Sequence, residues 1–127
     1  MSRPDRPRTR ATAAAVLLLT ALAVLLAAAP AQAHDYLVSS SPAAGSTVTT
    51  APDRVTLTFD AAVLSTGNGS DVLTVTGPDG KHFETGCPVV KNDAVSAPVR
   101  LGPAGTYTVG WRVVSSDGHP VADTITF

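Results

Sequence analysis

Thr106-Tyr107-Thr108-Val109-Gly110-Trp111-Arg112-Val113-Val114 is the stretch that decides the fold class. Tyr107, Val109, Trp111 and Val113 alternate with polar or small residues. That period of two places four large apolar side chains on one face of a strand. A helix would need apolar residues three and four apart, and this run does not supply them.

The same reading extends in both directions. Gly102-Pro103-Ala104-Gly105 turns the chain into this strand, and Val121 to Phe127 reads as the last strand after it. Upstream, Arg54 to Asp60 alternates Val55, Leu57 and Phe59 against Thr56 and Thr58. Asp71 to Thr76 follows, then the turn Gly77-Pro78-Asp79-Gly80, with Lys81 to Glu84 as a return strand. Val95 to Leu101 contains Pro98, which predicts an edge strand. Asp35 to Ser40 is a weak first strand, and Ser39 to Thr50 is read as a loop. No segment after Ala33 has a helical period. The fold class is all-β, a small sandwich or Greek-key barrel. Trp111, Phe59, Tyr107, Leu57 and Leu73 are the expected core.

The first 33 residues read as a targeting segment. Arg3, Arg6, Arg8 and Arg10 precede an uncharged run from Ala11 to Ala29, and Ala31-Gln32-Ala33 has the spacing of a signal-peptidase site. Without a twin-Arg pair, general secretion is the expected route. The alternative is an uncleaved anchor, since the run is long enough to span a bilayer. Pro30 and the small-residue end favour cleavage. The expected domains are therefore a signal peptide over 1–33 and a β-domain over 34–127. The second has no membrane span.

Charge and cysteine count narrow the function. Residues 34–127 hold five Lys/Arg against nine Asp/Glu, an acidic surface that argues against nucleic acid and is compatible with cations. Cys87 is the single cysteine, so neither an intramolecular disulfide nor a multi-Cys metal site can form. A lone cysteine reads as a small buried hydrophobe.

Three histidines remain, His34, His82 and His119. Cleavage after Ala33 would make His34 the N-terminus. Its α-amine and ring Nδ1 could then close a six-membered chelate on one metal, which an internal histidine cannot do. Asp117 and His119 are two residues apart, and in extended backbone both side chains face the same way. A carboxylate beside an imidazole is half of a transition-metal site. The plain alternative is an Asp-Gly turn with an exposed histidine. His82 reads as a surface residue of a strand.

With these residues in place, the chain resembles the CopC family of periplasmic copper-binding proteins. The resemblance rests on His34 after the cut, Ser41-Pro42-Ala43-Ala44-Gly45-Ser46, the strand Val55 to Phe59, and the run from Gly105 to Pro120 that ends in Asp117-Gly118-His119-Pro120. It implies a Greek-key β-barrel or sandwich of about seven strands, cupredoxin-like or Ig-like. It also implies one Cu(II) held by the amine and imidazole of His34 with Asp117 and His119. The expected protein is a monomeric, non-enzymatic copper carrier in the periplasm or another extracytoplasmic space. Its partners are the copper ion and a membrane copper transporter reached intermolecularly.

The chemistry agrees with that implication. Nitrogen donors with one carboxylate suit tetragonal Cu(II), which also tops the divalent affinity order. Ca²⁺ and Mg²⁺ prefer oxygen-only sites. The one methionine, Met1, would leave with the signal, so the β-domain has no thioether for Cu(I). Two rival readings belong to other classes. One is a metal-free β-sandwich interaction or adhesion module. The other is a small copper monooxygenase, disfavoured by only six aromatics after residue 33 and by a carboxylate where oxygen chemistry needs an open position.

Overall fold

The computed structural model describes residues 13, 16–20, 35–65, 69 and 71–127. The chain divides into two compact units, Met1–Gln32 and Ala33–Phe127. In the first, Ala13 and Val16 to Thr20 are helical, and no helix among the described residues is long and apolar enough to cross a membrane.

The second unit is built from seven strands: β1 Leu37–Ser41, β2 Arg54–Phe59, β3 Val72–Thr76, β4 Val89–Lys91, β5 Ala94–Pro98, β6 Thr108–Val114 and β7 Pro120–Thr126. They form two antiparallel sheets, of order β1-β2-β5-β4 and β3-β6-β7. The all-β expectation of about seven strands holds. The architecture is a sandwich of two separate sheets, and the closed barrel alternative is excluded.

The period of two explains the core. Val55, Leu57 and Phe59 of β2 and Val95 and Ala97 of β5 turn inward from one sheet. Leu73 and Val75 of β3 and Val109, Trp111 and Val113 of β6 turn inward from the other. The rings of Phe59 and Trp111 meet edge to face at 6.3 Å. Burying each such side chain contributes about 1.5–3 kcal/mol. All five expected core residues are buried.

Two strand expectations change, and one strand is new. β5 lies inside its sheet, between β2 and β4, and is not an edge. Pro98 is its last residue, paired with Arg54 at the end of the ladder, where the missing N–H costs little. The edge on that side is β4, a three-residue strand that hydrophobic alternation is too short to reveal. Its signal was the pair Asn92-Asp93, which forms the tight turn between Lys91 and Ala94, with Asn92 at φ 56°. Lys81 to Glu84 makes only the single bridges Thr76–His82 and Glu84–Val99. There the Val75 N–H donates to the Glu84 carboxylate at 2.9 Å, so a side chain substitutes for a ladder bond.

Candidate metal centre

The loop between β6 and β7 is the five-residue run Ser115 to His119. Its shape follows from local hydrogen bonds. The Ser115 N–H donates to the His119 carbonyl at 2.8 Å, and the Gly118 N–H donates to the Ser115 carbonyl at 2.9 Å. Gly118 has φ 87°, the left-handed position that closes a short hairpin loop of this kind.

This loop brings Asp117 and His119 together by a different route from extended backbone. Asp117 folds back over the turn, and its Oδ1 accepts the His119 N–H at 2.9 Å. Its Oδ2 lies 3.2 Å from His119 Nδ1. The His119 side chain is exposed and that of Asp117 only partly covered. The Asp117 carboxyl is lowered from the ordinary 3.8 to about 2. The backbone N–H of His119 is the main cause. Hydrogen bonds from the side chains of His119 and Ser115 add to it, and partial desolvation opposes it.

An Oδ2–Nδ1 separation of 3.2 Å is close to that of two adjacent ligands on one metal ion, so the carboxylate and the imidazole are placed to face the same cation. An ionised carboxylate has about four lone-pair sites, so bonds to the loop still leave Asp117 able to accept a cation. The donor chemistry therefore fits Cu(II). Two donors alone do not complete a site. Among the described residues no cluster of three or more His, Cys, Asp or Glu is placed to hold a metal. His34, the third expected ligand, lies outside the described residues.

The residue after it is described, and its position was not foreseen. Asp35 is buried, at 4% exposure. Its Oδ2 accepts the Ser116 N–H at 2.8 Å and its Oδ1 the Ser116 hydroxyl at 2.9 Å. Its own N–H donates to Ser115 Oγ at 3.2 Å. Tyr36 is tied in turn to the end of β2, its N–H donating to Asp60 Oδ1 at 2.7 Å. The start of the β-domain is thus bound to the loop that carries Asp117 and His119. Sequence reading treated Asp35 only as a strand residue. The available signal was an aspartate at the start of the domain and a Ser-Ser pair 80 residues later, too far apart to connect without the fold.

The other candidates stand apart. His82 is exposed, with Nδ1 3.4 Å from Glu84 Oε1. Cys87 is exposed, not buried as a small hydrophobe would be. It lies in the segment before β4.

Comparison with known proteins gives one consistent result. Residues 37–127 match the family model of the CopC domain. Copper resistance protein C of Escherichia coli is 38% identical over 118 residues, covering 87% of this chain and 92% of that protein. The structure of CopC from Methylosinus trichosporium OB3b superposes with a TM-score of 0.65 at 27% identity, covering 74% of this chain and 91% of that one. Copper transport protein CutJ of Bacillus subtilis is 33% identical over 100 residues, 75% of this chain and 18% of that longer protein.

Proposed function

The chain belongs to the CopC domain family, and on that premise we propose that it binds one Cu(II) outside the cytoplasm and sequesters or delivers it. Its named relatives include copper resistance and copper transport proteins, whose names denote metal handling and no reaction. A non-catalytic copper protein is the reading that follows.

The proposed ligands are the α-amine and Nδ1 of His34, freed by cleavage after Ala33, with Asp117 and His119. The observation that carries this is the hairpin loop itself. It sets a carboxylate and an imidazole side by side, 3.2 Å apart, at the end of a rigid core strand. The anchoring of Asp35 to Ser115 and Ser116 supports the third donor, because it holds the neighbour of His34 at the same loop. Cu(II) favours three nitrogens and one oxygen in a tetragonal arrangement. The protein's own contribution is to present these donors preassembled and to keep a thiolate out of the set.

Release is expected to require competition for the ligands or their protonation. A membrane copper transporter is the proposed recipient. CutJ supports that direction of traffic, since a segment like this chain forms part of a longer copper transport protein. The test is metal analysis of the exported protein. One Cu(II) per chain, with an electron paramagnetic resonance spectrum of a tetragonal N/O site that is lost in His119→Ala, is the expected result. Protein that takes up no copper would instead favour the interaction module.

A further inference from the structure

We infer that Asp35 is a positioning residue, a buried clasp that fixes the chain end carrying His34 to the Ser115–His119 loop and so sets the geometry of the amine chelate. This rests on the proposed ligand set of His34, Asp117 and His119. The argument starts from cost. A carboxylate at 4% exposure is expensive in a small β-domain unless its oxygens are satisfied. Here both are, by two donors of one residue, Ser116. A strand start has no folding need for such a group. An apolar residue would fill the space without the desolvation cost.

The partners show what the clasp holds. Ser116 directly precedes Asp117. Ser115 is fully buried and its Oγ accepts the Asp35 N–H at 3.2 Å. Asp35 therefore holds Ser115 by its backbone and Ser116 by its carboxylate, the two residues that lead directly into Asp117, and Asp117 in turn reaches both the N–H and Nδ1 of His119. A residue joined to Asp35 begins one peptide unit from this anchor, about 3.8 Å between Cα atoms. A chelate made by a chain terminus otherwise has to order that terminus on binding, and a terminus is where disorder concentrates. The clasp removes most of that cost in advance.

The experiment uses the full chain, exported and processed, with its N-terminal residue read by mass spectrometry. Cu(II) affinity is measured by competition with a chelator, alongside the paramagnetic resonance spectrum and apo-protein circular dichroism. Four variants are compared: Asp35→Ala, Asp35→Asn, Ser116→Ala and His119→Ala. Asp35→Ala is expected to weaken binding about 10–100-fold, as for lost outer partners of metal ligands, and to broaden the spectrum. Asp35→Asn keeps an acceptor for the Ser116 N–H and should recover most of the affinity. Ser116→Ala should give a smaller loss, and it decides the matter if Asp35→Ala does not fold. Wild-type affinity and spectrum in Asp35→Ala, with binding lost in His119→Ala, would overturn the clasp and leave the site intact. Unchanged binding in His119→Ala, or a processed chain that does not begin at His34, would overturn the site reading and the clasp with it.

Discussion

Asp117 grips His119 twice, with Oδ1 on its backbone N–H at 2.9 Å and Oδ2 at 3.2 Å from Nδ1 of its ring. One carboxylate thereby sets both the turn and the orientation of the imidazole. The pair is local, but the loop holding it is fixed from outside, by Asp35 at one side and by β6 and β7 at the other.

The Asp117 carboxyl gives a pH signature. Its folded value of about 2 lies below the ordinary 3.8. A depressed carboxyl contributes stability that is fully present above the unfolded value and is lost as pH falls through the folded one. In apo-protein its carboxyl carbon should therefore titrate with a midpoint near 2 by nuclear magnetic resonance. Stability linked to it should decline between about 3.8 and 2, and this decline should be absent in Asp117→Asn. Copper loss at milder acidity should then come from protonation of the nitrogen donors.

Gly118 should be replaceable only at a cost in backbone strain. A Cβ there meets nothing within 4 Å, so sterics with neighbours are not the issue. The φ of 87° is. Gly118→Ala should destabilise the apo-protein by about 1–2 kcal/mol in urea unfolding. It should also loosen the Asp117–His119 pair and lower Cu(II) affinity.

Trp111→Ala should be severe. The ring is buried between the sheets against Phe59, and large-to-small changes of this type cost about 3–5 kcal/mol. A small domain has only about 5–15 kcal/mol to lose. Thermal unfolding by circular dichroism should show a large drop in midpoint, even though Trp111 lies in the strand body and not in the metal loop.

Copper should stay off the single thiol. Cys87 is exposed and lies outside the loop, and no methionine follows Met1. Cys87→Ser should leave Cu(II) affinity and the absorption spectrum unchanged, with no intense thiolate band in either protein. Reduction should release copper to a soft competitor. A strong charge-transfer band that disappears in Cys87→Ser would place sulfur on the metal.

Much of the fold was legible because the inward faces of β2, β3 and β6 alternate cleanly. Val55-Leu57-Phe59 and Tyr107-Val109-Trp111-Val113 state their own burial. β4 was hidden because three residues carry no period, and β5 was misplaced because Pro98 was weighed as an interior residue of the strand when it stands at its end. At the candidate site, the Asp117-Gly118-His119 pairing was readable from spacing, although a left-handed turn and not extended backbone produces it. Asp35 was not readable. Its meaning lies in contacts with Ser115 and Ser116, which the fold brings within reach although β1 and β6 belong to different sheets.

The central claim is that the chain terminus itself binds the metal, and a one-residue extension tests it most directly. A glycine added before His34 in the processed protein keeps every side chain and moves the α-amine out of the six-membered ring. Cu(II) affinity by competition should fall by orders of magnitude, comparably to His34→Ala, while the apo-protein melts as before. Equal affinity of the extended and native forms would show that the amine is not a ligand and would contradict the account.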